Sequence, residues 1–206
     1  MKSYVMEAIG AFFLVLVYGF TSDALAVGLT LMALIYIGFK VSGAHYNPAV
    51  SIAFFLQRKI SGADLAGYVA AQLIGGFLSA GALFFLSSGV FYLDPPPSTD
   101  LYQQAFAEVG FTFLFVMVML TFSLPKSPRN FQTVGLAAGL TFTGILLAGT
   151  PVSGGVFNPA ISIGTALFDL LSGGNSYVHA LLYTLAPVAG GSIAAGLYSY
   201  LYSGNK

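Results

Sequence analysis

The chain has 206 residues, of which 57% are hydrophobic and only 7% charged, with a mean hydropathy of +0.85. Soluble domains carry about 25% charged residues, so a water-facing surface cannot be built from this composition and a soluble enzyme is excluded. Seven Lys and Arg balance seven Asp and Glu, which removes the basic surplus that nucleic-acid binding needs. With no Cys and only two His, disulfides, thiol chemistry and a metal centre are not expected.

What remains is an integral membrane protein. A transmembrane helix needs about 20 predominantly apolar residues, and such runs fall, in chain order, at 4–20, 24–41, 65–86, 104–124, 132–149 and 177–202. The first run follows Lys2, contains Glu7 and lacks a small-residue cleavage site, so it reads as a retained helix and not a signal peptide. Two shorter apolar runs, 48–56 and 159–170, are too short to cross and suit re-entrant half-helices. The longest connection, 87–100, holds Pro95-Pro96-Pro97 and reads as an extended loop. None of the runs alternates apolar and polar residues as barrel strands do. The fold class is therefore all-α, with six transmembrane helices and two half-helices.

Charge gives the orientation. With a cytoplasmic N-terminus, Lys2, Lys40, Arg58, Lys59, Lys126, Arg129 and Lys206 all fall on the cytoplasmic side, as does the C-terminus. Asp23, Asp94, Asp100 and Asp169 fall on the other side, which has no Lys or Arg. That asymmetry follows the positive-inside rule.

The two short runs match each other. Tyr46-Asn47-Pro48-Ala49-Val50-Ser51-Ile52 aligns with Phe157-Asn158-Pro159-Ala160-Ile161-Ser162-Ile163, and each copy is preceded by a Glu within a span, Glu7 or Glu108. Downstream, Ala71-Gln72-Leu73-Ile74-Gly75-Gly76 aligns with Ala186-Pro187-Val188-Ala189-Gly190-Gly191. The chain thus reads as one domain made of two copies, about 1–86 and 104–202. Each copy has an odd number of spans, so the second lies upside down, and the working site of such inverted repeats is near the midplane. Asn is a preferred N-cap and Pro suits the next position. Asn47 and Asn158 are expected to open the half-helices with their side-chain oxygens as caps, leaving both amide NH₂ groups free to donate into a lumen. The half-helices then point their positive dipole ends at the bilayer centre.

With these motifs in place, the chain resembles the aquaporin (major intrinsic protein) family over nearly its whole length. The segment from Ser42 to Val50, the Phe157-Asn158-Pro159-Ala160 segment, the paired Glu7 and Glu108, and the Gln72 and Pro187 segments carry the resemblance. It implies one pore per protomer, a homotetramer, passive flow of water or small uncharged solutes, and no cofactor. The family usually has Arg directly after the second Asn-Pro-Ala, as part of a selectivity filter; here that position is Ile161. Counting from the motifs, the other filter positions are Val27, Leu146 and Gly155, so the expected filter is wholly apolar. Such a ring offers no donors to a passing solute. A narrow ring would dewet, and a wider one would pass larger neutral solutes. The wider pore is the expectation, with glycerol, urea or neutral metalloid hydroxides such as arsenite as candidate solutes.

The remaining polar residues read as scaffold. Glu7 and Glu108 lie inside the membrane, where carboxylates are functional candidates, yet the half-helix approaches present backbone N–H groups that need acceptors. The resemblance also implies that they brace these loops. His45 is expected to bond loop backbone, and His179 to have no special role. Two other classes stay open: a coupled secondary transporter, and a structural protein whose pore is shut. The expected location is the plasma (inner) membrane, surrounded by lipid.

Overall fold

The computed structural model describes residues 1–21, 23–124 and 131–202. Three of the basic residues used for orientation, Lys126, Arg129 and Lys206, lie outside them. Among the described residues the regular structure is all helical: α1 (Lys2–Thr21), α2 (Ala24–Ser42), α3 (Pro48–Leu56), α4 (Gly62–Ser87), α5 (Leu101–Ser123), α6 (Phe131–Ser153), α7 (Pro159–Leu171), α8 (Tyr177–Ala180) and α9 (Leu182–Tyr202). Six stretches are long and apolar enough to cross a membrane, with α8 and α9 counted as one. Only 39% of the residues in each span's apolar window are buried within the protein. The other faces, rich in exposed Leu, Ile and Phe, need lipid or neighbouring protein against them.

Caps, more than hydropathy, set the helix ends. Helix α4 starts at Gly62, three residues before the apolar run, because the Ser61 hydroxyl accepts the Asp64 N–H at 3.1 Å. Helix α5 starts at Leu101 through a reciprocal box between Asp100 and Gln103. Asp23 caps α2 by accepting the Ala26 N–H at 2.7 Å. Helix α6 runs past the expected end at 149 to Ser153, with Pro151 inside its last turn.

Two kinds of packing hold the bundle. Long helices pair, α1 with α4, α5 with α9 and α2 with α6, and each half-helix then packs on a long helix of the opposite half, α7 on α4 and α3 on α9. The Gly-Gly pairs make both contacts possible. A Cβ at Gly75 would lie 2.3 Å from the Ala8 carbonyl oxygen and one at Gly76 2.4 Å from that of Ala160. In the other half, a Cβ at Gly190 would collide with the Val109 carbonyl oxygen and one at Gly191 would lie 2.9 Å from that of Ala49. Helices in lipid gain little from apolar burial against each other, so this close backbone approach is what locks them.

Replacing Gly76 with Val is therefore expected to cost about 1–3 kcal/mol through overpacking against α7. Gly196, which has no heavy atom within 4 Å of its would-be Cβ, should accept Ala without loss. Thermal unfolding of the two detergent-solubilised variants, followed by size-exclusion chromatography, checks the contrast.

Candidate functional site

The half-helices begin where the two Asn residues stand. Asn47 and Asn158 have extended backbones (φ −153° and −149°), and their Oδ1 atoms accept the N–H groups of Ala49 and Ala160 at 2.8 and 2.9 Å. Pro48 and Pro159 fill the first helical position, where no N–H is needed. The amide groups differ from the sequence expectation of two free hydrogens. Asn47 Nδ2 donates to the Phe157 carbonyl at 2.9 Å, and Asn158 Nδ2 donates to the Tyr46 carbonyl at 3.0 Å. Each Asn thus ties its half to the other with one of its amide hydrogens. Both side chains are almost wholly buried, and α3 contacts α7.

The segments leading into the helices are tightly bent. Gly43, Ala44 and Tyr46 have φ values of 87°, 55° and 52°, and Gly154, Gly155 and Phe157 have 89°, 70° and 50°. Bulky residues such as Tyr46 and Phe157 occupy the left-handed region only where surrounding contacts hold them. Two carboxylates do so. Glu7 accepts the Ser42 hydroxyl (2.6 Å), the His45 N–H (2.9 Å), the Tyr46 N–H (2.6 Å) and the Gln72 amide (2.7 Å). Glu108 accepts the Ser153 hydroxyl (2.7 Å), the Val156 N–H (3.0 Å) and the Phe157 N–H (2.7 Å). Both are 0% exposed.

Two tyrosines complete these braces. Tyr68 donates its hydroxyl to the Ser42 carbonyl at 2.6 Å, and Tyr183 donates to the Ser153 carbonyl. Neither forms part of a motif, but each stands seven residues before a Gly-Gly pair, and that common spacing marks them. Tyr18 adds a bond to the Gly154 carbonyl at 2.8 Å.

The halves are not equivalent. Gln72 Nε2 gives one hydrogen to Glu7 and the other to Ser51 Oγ at 2.9 Å, and Ser51 Oγ shares a hydrogen bond with His45 Nδ1 at 3.1 Å. The ring partner of His45 is thus a side chain where loop backbone was expected. The matching positions in the second half are Pro187 and Val156. Neither side chain can hydrogen-bond, and the buried Ser162 hydroxyl, the counterpart of Ser51, has no partner.

The four positions expected from the sequence to form a filter come from three helices and one loop. Val27 (α2), Leu146 (α6) and Ile161 (α7) belong to one buried apolar cluster and are 0%, 2% and 0% exposed. Gly155 adjoins Leu146, whose Cδ2 lies 3.3 Å from the position of a Gly155 Cβ. His179 Nε2 lies 3.7 Å from Asp94 Oδ1. No group of three or more His, Asp or Glu forms a metal site among the described residues.

Glu7→Gln and Glu108→Gln each place an amide NH₂ against a backbone N–H that the carboxylate now accepts. Each should cost about 1–3 kcal/mol, the price of a buried unpaired donor, measured as a lowered midpoint of thermal unfolding in detergent.

Comparison with known proteins places this architecture. The glycerol uptake facilitator protein-like 6 of Lactiplantibacillus plantarum is 34% identical over 210 aligned positions, covering 95% of each chain. Aquaporin AqpM of Methanothermobacter marburgensis is 32% identical, over 87% of this chain and 76% of its own. The X-ray structure of the aquaglyceroporin from Plasmodium falciparum superposes with a TM-score of 0.84 over 96% of this chain and 94% of its own, at 21% identity, a likeness of fold. Residues 1–198 match the pattern of the family described as Major intrinsic protein, and with relatives of this similarity the chain belongs to that family.

Proposed function

We propose that the chain is a passive membrane pore for water and small uncharged solutes, with an apolar filter formed by Val27, Leu146, Gly155 and Ile161. Its relatives are named for glycerol uptake and as aquaporins, and these names suggest the two solute classes. The observation that carries the reading is the meeting of two helix N-termini, joined by the Asn47 and Asn158 amides. Their dipoles present positive potential at one point, which opposes cations while leaving neutral molecules unaffected. The remaining amide hydrogen on each Asn offers a passing water or hydroxyl a donor.

In this reading the end bearing Asp23, Asp94, Asp100 and Asp169 faces outward and both termini are cytoplasmic, in a plasma membrane homotetramer. Ile161 removes the guanidinium found at that position in most of the family. The filter then discriminates by width and dewetting and not by hydrogen bonding, which favours glycerol, urea or neutral metalloid hydroxides over strict water selection. Coupled transport gains no support from Glu7 and Glu108, whose oxygens are all occupied by donors.

One observation favours a second reading. Val27 and Ile161 have no exposed surface and Leu146 almost none, which suits a pore closed at this ring. Stopped-flow light scattering on proteoliposomes jumped into glycerol or urea separates the cases. Shrinkage and re-swelling both faster than in empty liposomes support a neutral-solute pore; fast shrinkage alone indicates a water channel, and silence in both phases a closed one. In an open pore, Ile161→Arg should restore a donor and narrow the ring, lowering solute permeability several-fold relative to water.

A further inference from the structure

The bent segment before Asn158 carries two consecutive glycines, Gly154 and Gly155, both at positive φ (89° and 70°). Gly155 leaves no room for a side chain: a Cβ there would lie 2.6 Å from Thr150 Oγ1 and 3.3 Å from Leu146 Cδ2. Glycine populates both signs of φ about equally, so a Gly-Gly peptide keeps one orientation only where something holds it. Its flanks are held by Tyr183 on the Ser153 carbonyl and by Glu108 on the Val156 and Phe157 N–H groups.

The peptide between the two glycines has holds of its own, one on each side. Its N–H, that of Gly155, donates to Ser153 Oγ at 3.2 Å, and its carbonyl, that of Gly154, accepts the Tyr18 hydroxyl at 2.8 Å. Tyr18 comes from α1, in the other repeat. It is 5% exposed, and its ring is set edge-on against Phe91 at 6.1 Å. In the first repeat the corresponding peptide joins Gly43 and Ala44. There the Ala44 N–H donates to Ser42 Oγ at 3.1 Å, which reproduces the first hold. The second is not reproduced. Tyr18 stands eleven residues after Glu7, and eleven residues after Glu108 stands Met119, whose thioether has no hydrogen to donate. The hydroxyl tether thus belongs to the loop that carries Gly155.

We propose that Tyr18 is a positioning residue for the selectivity of this channel: its hydroxyl fixes the Gly154–Gly155 peptide and, through it, the one edge of the filter that has no side chain. The proposal rests on the pore reading above. Val27, Leu146 and Ile161 are placed by helices α2, α6 and α7, whereas Gly155 is placed by its loop alone. With the Gly154 carbonyl released, the peptide samples more than one orientation and the ring takes a range of widths in place of one. A filter that selects by width then loses discrimination, and the largest solutes gain most.

The experiment is a solute series (water, urea, glycerol, xylitol) in stopped-flow measurements on proteoliposomes of wild type, Tyr18→Phe and Tyr4→Phe, with equal amounts of folded protein confirmed by size-exclusion chromatography. Tyr4→Phe is the control, because it removes a hydroxyl bond to Asp64 at the other end of α1. The expected result is a several-fold rise in the glycerol-to-water ratio and a larger one in the xylitol-to-water ratio for Tyr18→Phe, with both ratios unchanged in Tyr4→Phe. If Tyr18 merely stabilises the bundle, Tyr18→Phe lowers the thermal midpoint while its ratios stay at the wild-type values, or both variants shift the ratios alike. Either result overturns the proposal and leaves the pore reading intact. A wild type that passes nothing in the series overturns both. Should Tyr18→Phe fail to fold, Tyr18→Met, which installs the residue of the equivalent position, is read in the same way, and unchanged ratios reject the tether.

Discussion

A carboxylate accepting backbone N–H groups inside the membrane is the interaction on which this structure depends. Lipid offers no partners to exposed amides, so non-helical backbone at that depth must be satisfied by protein or by a water-lined path. The turns before Asn47 and Asn158 carry such backbone, with Tyr46 and Phe157 held at positive φ. Glu7 and Glu108 supply the missing acceptors, taking the N–H groups of residues 45, 46, 156 and 157. Without them the half-helices could not start at mid-depth, and the two Asn side chains would have no fixed place to meet.

The braces also explain why the halves are interlocked and not merely adjacent. Each Asn donates to the carbonyl that precedes the other Asn, and each half-helix packs against a glycine pair on the opposite half. Each half-helix is braced by the Glu of its own copy and packed against a long helix of the other. The copies nonetheless differ in polarity. The first has a chain of Glu7, Gln72, Ser51 and His45, whereas the second has Pro187 and Val156 and leaves the Ser162 hydroxyl unpartnered. The approach to Asn47 is thus tied by side-chain hydrogen bonds that the approach to Asn158 lacks, and two residues of the proposed filter, Gly155 and Ile161, flank the latter.

An apolar ring shifts the burden of selection from hydrogen-bond chemistry to shape. In the proposed pore, Ile161 has no donor to compensate a solute for lost water, so width would decide what passes. Selectivity set this way is graded by solute volume, and it is sensitive to small changes in packing.

Much of this was legible in the chain alone. The six spans, both half-helices and the Asn-Pro-Ala pairs follow from apolar run lengths and capping chemistry, which are local properties. The half-helix starts at Pro48 and Pro159 agree with the structure to the residue, because Asn followed by Pro leaves little freedom. Span ends were less readable, since Ser61 and Asp100 cap helices a turn outside the apolar run. Apart from the Glu7 and Glu108 braces, hydrogen bonds between residues brought together by the fold were hidden. The crossing of the Asn amides, the Tyr68 and Tyr183 braces, the Ser51 partner of His45 and the His179–Asp94 pair each join residues brought together only by folding. Sequence determined which groups must be satisfied in lipid; the tertiary structure decided which partner satisfies each, because that depends on distances no local pattern encodes.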